Sequence, residues 1–178
     1  TRNALKGIMV GVGTVINDNP NLTCRIDGGV NPVRIICDSN LRTPKDCNIV
    51  RTAFEVPTII ATVSEDEKLI KFFEQQGIDV LKTAKQDNRV DLCDLMLKLG
   101  ERKIDGLLLE GGGTLNMSAL KAGIVNHIQA YIAPKIFGGS GIYNPVKGES
   151  VAVPSEAYIC KNMNITHIGD DILIDCDI

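Results

Sequence analysis

Glu110 closes an apolar run, Leu107 to Leu109, and three glycines follow it at once, Gly111, Gly112 and Gly113. A helix-type segment begins near Thr114. Ligands of open α/β sheets bind at the carboxyl ends of strands. The start of a helix offers unpaired N–H groups and about half a positive charge. Glycines let a phosphate approach that backbone without meeting a Cβ. The pattern, with Thr114 and Ser118 nearby, suits a pyrophosphate, although it is neither G-x-G-x-x-G nor a Walker loop. Read alone, it serves a tight strand-to-helix turn equally well. A carboxylate beside a phosphate site needs a donor of its own, which a substrate amino or hydroxyl group would supply. The plain alternative for Glu110 is a carboxylate answering the helix dipole, worth roughly 0.3–1 kcal/mol.

Two further strand ends carry polar groups. In "VGVGTVINDNPNLTCR" (10–25) a Gly-x-Gly turn leads into "TVIND", a short helix stopped before Pro20. Thr14 in its first turn could hold a phosphate or a ribose hydroxyl. Arg25, in the loop beyond, could grip a phosphate ester bidentately, or simply sit as a solvated charge. In "CDSNLRTP" (37–44), Ser39 and Arg42 suit a phosphate, including a 2′-phosphate; a plain turn explains them as well. No nucleophile signature, metal cluster or obvious histidine base accompanies these residues. A diffusible cofactor that carries the hard chemistry fits that set.

The elements that must position these residues alternate in type. Strands are expected at 7–11, 33–38, 57–63, 77–83, 104–111 and 127–134. Runs such as Leu107–Leu109 suit strands covered on both faces of a mostly parallel sheet. Ser64 and Glu67 have capping-box spacing before Leu69, Ile70, Phe72 and Phe73, with Gly77 as the stop. Leu92, Leu95, Met96 and Leu99 form a second helical stripe ended by Gly100. Residues 156–178 predict two strands joined by a turn at Asp170–Asp171, an antiparallel edge on the parallel sheet. "TRNALKG" resembles the last turns of a helix whose beginning, and the strand expected before it, are not in the sequence.

The 178 residues favour one domain, 1–178. A net charge of −3 argues against nucleic acid as a partner. No run approaches the roughly 20 apolar residues of a membrane span, and no signal peptide opens the chain. The six cysteines include no C-x-x-C pair, and only His127 and His167 could add imidazole, so no metal site is expected. Several of them lie in apolar runs as small hydrophobes, which fits a reducing, cytoplasmic setting.

Taken together, "GIMVGVGTVINDNPNLTCR", "PVRIICDSNLRTP" and "LLLEGGGTLNMSALKAGIVNHIQAYIAPKIFGG" resemble the reductase domain of the bifunctional riboflavin-biosynthesis deaminase/reductase. The three stretches lie in the family's order and run over nearly the whole chain. The resemblance implies a dihydrofolate-reductase-like, three-layer α/β fold. Its central sheet would be mostly parallel, with an antiparallel C-terminal strand pair and helices on both faces. It implies NADPH as cofactor, a homodimer, and a small-molecule phosphoribosylamino-pyrimidine as substrate. The reaction would reduce the ribosyl group of 5-amino-6-(5-phosphoribosylamino)uracil to a ribityl group.

By the same resemblance Thr14, Asp18 and Ser39 contact NADPH. The cofactor's phosphates lie along Gly112, Gly113, Thr114, Leu115, Asn116, Met117 and Ser118. Leu22, Arg25 and Glu110 line the substrate pocket, Arg25 near the 5-phosphate and Glu110 as the candidate catalytic group. Two family features are not in this sequence: the opening strand with its Lys-x-Ala-x-Ser-Leu-Asp-Gly-Lys-type motif, and the zinc deaminase domain. Two other readings remain open. One is another NADPH-dependent pterin or pyrimidine reductase of the same fold. The other is a truncated, non-catalytic nucleotide-binding or dimerisation domain.

Overall fold

Ile8, Met9 and Val10 are successive buried residues of one strand, and successive strand residues point to opposite faces. Each face therefore needs its own apolar cover. The structure, a computed structural model, is described for residues 1–136 and 144–178. Its elements run β1 (Gly7–Gly11), α1 (Val12–Asp18), β2 (Val33–Cys37), α2 (Asn48–Arg51), β3 (Thr58–Thr62), α3 (Glu67–Gln75) and β4 (Asp79–Lys82). A short hairpin follows, β5 (Lys85–Gln86) and β6 (Arg89–Val90). Then come α4 (Leu92–Glu101), β7 (Leu107–Gly111), α5 (Gly113–Lys121), β8 (His127–Ile132), β9 (Lys161–Ile168) and β10 (Asp171–Asp177).

Five strands form a parallel sheet in the order β4-β3-β2-β1-β7. On one face Ile8, Val10, Ile36 and Ile60 cluster with Val12 and Val15 of α1, Ile49 and Val50 of α2, and Phe73 of α3. On the other, Met9, Ile35, Ile59 and Ala61 cluster with Leu92, Leu95 and Leu99 of α4 and Ala119 of α5. Each such side chain, fully buried, contributes about 1.5–3 kcal/mol. The result is the three-layer α/β arrangement expected, with helices on both faces. From β1 the chain moves outward through β2, β3 and β4, then returns to place β7 on the other side of β1. That reversal makes the seam between β1 and β7 a topological switch point, where such sheets bind ligands beyond the strand ends.

Several local expectations need correction. The C-terminal strands pair antiparallel, yet they do not extend the parallel sheet: β8, β10 and β9 form a three-stranded sheet of their own, in that order. The long β8–β10 ladder, from Ile172↔Ile132 to Asp177↔His127, takes β8 away from the parallel set. Ser64 does not cap α3. Asp66 does, accepting from the N–H groups of Lys68 and Leu69, while the Ser64 hydroxyl accepts from Asp66 N. Gly100 does not end α4, which continues to Glu101, and Lys103 takes the left-handed conformation instead. Residues 1–6 form turns rather than the end of a helix, with Ala4 N and Leu5 N both donating to Thr1 O. The β5–β6 hairpin is unanticipated; Asp87 and Asn88, both at positive φ, make its two-residue turn.

The β8–β10 ladder carries a titrating cluster at its Asp177 end. His127 Nε2 lies 2.9 Å from Asp175 Oδ1, and its Nδ1 lies 2.9 Å from Asp177 Oδ1. Hydrogen bonds to Asp177 and Asp175 hold the imidazole above its usual range. His127 holds Asp175 below the usual carboxylate range, and Asn162 with His127 does the same for Asp177. A raised histidine adds stability below its unfolded pKa and loses it as pH climbs through the folded one. The lowered aspartates add stability above their unfolded values and lose it as pH falls through the folded ones. Backbone protection of β10 is therefore expected to peak between the two titrations. It should fall above about pH 6.5, the ordinary histidine value, as the raised imidazole loses its proton. Amide exchange across pH checks this, and His127→Gln should flatten the alkaline side.

Candidate active site at the β1–β7 seam

The carboxyl ends of β1 and β7 turn directly into helices. β1 ends at Gly11 and α1 starts at Val12, which places Thr14 in the first turn. The Thr14 hydroxyl points across the seam, 3.4 Å from the Gly111 carbonyl. β7 ends at Gly111, and Gly112 takes the N-cap position of α5. Both glycines have φ of +82°, a conformation that residues with a Cβ rarely adopt. A Cβ on Gly112 would sit 3.4 Å from Thr14 Oγ1. Among the described residues no side chain caps α5; Leu115 N and Asn116 N donate to Gly112 O, which leaves the N–H groups of Gly113 and Thr114 for an anion.

Gly113 is small for a different reason. A Cβ there would run into the Asn144 carbonyl and the backbone of Lys147, whose N–H donates to Gly113 O at 2.9 Å. The segment from Asn144 to Glu149 thus lies against α5. Asn116 Nδ2 donates to Pro145 O at 2.8 Å, and Lys121 pairs with Glu149 at 3.0 Å. Asn116 Oδ1 is buried without a partner among the described residues.

The expected run of cofactor contacts along α5 separates by face. Thr114 is exposed at the helix start. Leu115 packs into the core cluster and Met117 is buried, so only their backbone could reach a ligand. The Ser118 hydroxyl donates back to Thr114 O at 3.0 Å. Asp18 is exposed at the last turn of α1. Ser39 lies beyond the end of β2, on the same edge of the sheet as the seam, and its hydroxyl accepts from Val90 N at 3.1 Å. The Ser39 O–H is left to donate.

Glu110 is held in a fork. Arg2 Nε donates to Glu110 Oε1 at 2.9 Å and Arg2 Nη2 donates to Oε2, while Nη1 reaches the Thr23 carbonyl at 3.0 Å. The planar guanidinium matches the carboxylate in this bidentate geometry. Arg2 thereby joins the end of β7 to the loop that carries Leu22 and Arg25. Leu22 is buried at φ of +52°; Arg25 is exposed. Arg2 and Arg25 line a shallow hollow of about 290 Å³ with Thr1, Asn3, Cys24 and Ile26. With Arg2 paired to Glu110, the Arg25 guanidinium is the cation of this hollow that suits a phosphate ester. Sequence reasoning missed Arg2, which lies in the stretch taken for the end of a helix. The last part of the third matching stretch, residues 137–139, lies outside the described residues.

A doubly covered parallel sheet, with glycine turns and helix starts gathered at its switch point, places the protein in the class of open α/β folds, whose ligands bind beyond the strand ends. The chain belongs to the family described as the RibD C-terminal domain, whose model matches residues 1–174. It is 51% identical over 175 residues to the riboflavin biosynthesis protein RibD of Actinobacillus pleuropneumoniae, covering 98% of this chain and 46% of that protein. It is 36% identical over 180 residues to a 2,5-diamino-6-ribosylamino-4(3H)-pyrimidinone 5′-phosphate reductase of Methanothermobacter thermautotrophicus, covering 98% of this chain and 80% of that protein. Among solved structures it resembles a deaminase/5-amino-6-(5-phosphoribosylamino)uracil reductase of Thermotoga maritima, with a TM-score of 0.74 and 26% identity, over 99% of this chain and 46% of that one. The chain thus spans less than half of the two-activity relatives. Among the described residues no helix is long and apolar enough to cross a membrane.

Proposed function

We propose that this chain reduces the ribosyl group of 5-amino-6-(5-phosphoribosylamino)uracil to the ribityl product, with NADPH as reductant. The observation that carries the reading is the convergence of Thr14, the uncapped start of α5 and the Arg2–Glu110 fork on one switch point. The residues fit the cofactor. Gly112, exposed at the helix start, leaves the backbone open, the first N–H groups of α5 suit a pyrophosphate, and the Thr14 hydroxyl stands beside them. When bound, a reduced nicotinamide supplies the hydride. The chain's own part is to bind and align. Arg25 meets the substrate phosphate, Leu22 anchors in the core the loop that carries Arg25, and Glu110, oriented by Arg2, receives a donor of the substrate or relays a proton to its nitrogen. Alignment of this kind can be worth several kcal/mol. The exposed apolar residues Ile132 of β8 and Met163 and Ile165 of β9, which share one face of their sheet, suit a homodimer contact.

A second substrate, the 2,5-diamino-pyrimidinone phosphate named for the archaeal relative, is favoured by the 80% of that protein covered. NADPH oxidation by the full-length protein with each substrate decides between them, and turnover of neither would remove the reading. NADPH is expected to raise Tm more than NADH, because the Ser39–Arg42 loop is read as a 2′-phosphate site. At a hundredfold excess over Kd the stabilisation is about 2.7 kcal/mol. Equal shifts would take the loop out of the site. Arg25→Ala is expected to weaken substrate about ten- to a hundredfold, the value of one charge-assisted contact, and to leave NADPH affinity nearly unchanged. Isothermal titration of each ligand measures both; the reverse pattern would exchange the two pockets.

A further inference from the structure

Arg34, on β2, is fully buried, and among the described residues no carboxylate pairs with it. Its guanidinium is satisfied by hydroxyls and carbonyls alone. Nε donates to Thr58 Oγ1 at 2.9 Å, and Nη1 to Thr52 Oγ1 at 2.8 Å. Nη2 donates to the carbonyls of Ile49, Thr52 and Val56 at 3.2, 3.2 and 3.0 Å. Several of these oxygens close the C-terminal end of α2, where a cation answers the helix dipole. Burial pushes Arg34 down to about 10, so it remains charged at neutral pH. A buried cation is costly unless its donors are filled. Anchoring a core alone would be met more cheaply by an apolar side chain.

The remaining contact leaves the core. Arg34 Nη1 also donates to Asn21 O, at 3.3 Å. Asn21 lies in a turn bracketed by two non-glycine residues at positive φ, Asn19 at +41° and Leu22 at +52°. Asn19 also precedes Pro20, which disfavours helical backbone. Such strain persists only where surroundings fix it, and it gathers at ligand sites. Here two fixings exist. Asn48 donates two hydrogen bonds of 2.8 Å to Asn19 at one end of the turn, from its N–H to Oδ1 and from Nδ2 to the carbonyl, and Arg34 holds Asn21 at the other.

We propose that Arg34 is a positioning residue for substrate: it holds the Asn19–Leu22 turn on α2 and so sets Leu22 and Arg25 at the site. The proposal rests on the reductase reading above. Lysine offers three donors from a single point and cannot span α2, β3 and the turn together. In the full-length protein, Arg34→Met should raise KM for the phosphoribosylamino-pyrimidine at least tenfold. The Kd for NADPH should stay within twofold, and Arg34→Lys should recover part of the loss. Amide exchange at Leu22–Cys24 should quicken at least tenfold in the methionine variant. Thr58→Val is the control, because it removes one Arg34 partner and leaves the Asn21 contact. At a matched loss of Tm its KM should stay within twofold of wild type. An equal rise of KM in Thr58→Val, or an unchanged KM in Arg34→Met, would overturn the proposal. If the methionine variant does not fold, the lysine variant carries the same comparison. If the wild type turns over neither pyrimidine, the reductase reading fails, and the exchange rates alone decide whether Arg34 holds the turn.

Discussion

Glu110→Gln in the full-length protein should lower turnover about ten- to a hundredfold, the loss of one charge-assisted contact made in the transition state. The amide keeps the shape of the side chain, so packing at the end of β7 is conserved. It does not keep the charge that holds Arg2 in a bidentate fork. Arg2 would retain its bond to the Thr23 carbonyl, so the loop need not open. NADPH affinity should change little, since the proposed cofactor contacts, Thr14 and the start of α5, do not include Glu110. Steady-state kinetics with a separate cofactor titration checks both statements. Near-normal kcat/KM would leave Glu110 as a residue answering the helix start, with an effect under about 1 kcal/mol on stability.

Gly112→Ala should cost both stability and NADPH affinity. Gly112 has φ of +82° and ψ of 128°, outside even the left-handed helical region that other residues sometimes visit. Strain of this kind costs about 1–3 kcal/mol. The added methyl would also face the Thr14 hydroxyl, 3.4 Å away, at the proposed cofactor site. Tm should fall, and NADPH Kd should rise by more than the stability loss explains. Gly100→Ala is the counterpart. Gly100 lies within α4, and a Cβ there meets nothing within 4 Å. That change should stabilise by about 0.5–1 kcal/mol and leave binding unaltered. Denaturant unfolding of the two variants, with and without NADPH, separates backbone strain from ligand loss.

The strand ends were legible in the sequence because several signals coincide there. At 107–113 an apolar run, an acid and glycines meet within seven residues, and only a buried strand turning sharply into a helix suits them. The alternation of strand and helix gave the parallel sheet for the same reason. Arg2 was not legible: its partner lies 108 residues away, and nothing local distinguishes it from a surface charge. Arg34 was hidden in an apolar run, where one charge looks like an exposed alternate residue rather than a filled cavity. The cap of α3 was misplaced by two residues because Ser64 and Asp66 are both good caps, and backbone geometry chooses between them. Gly113 was assigned to cofactor access, whereas the nearest thing to it is the chain's own segment at Asn144. That contact joins residues far apart in sequence and leaves no local pattern.

The β1–β7 ladder pairs Gly7 with Leu107 and Met9 with Leu109, residues about a hundred positions apart. Closing such a loop is entropically expensive, and the cost is recovered only when the ladder is complete. β7 is also an edge strand of the parallel sheet, as β4 is on the far side. The seam that gathers the proposed site is therefore a place where local opening should occur readily. A nucleotide bridging Thr14 and the start of α5 would act as a latch on this edge. It should slow amide exchange in β7 and the first turn of α5 far more than in β3 or β4, so that occupancy of the site could be read from the breathing of a single strand.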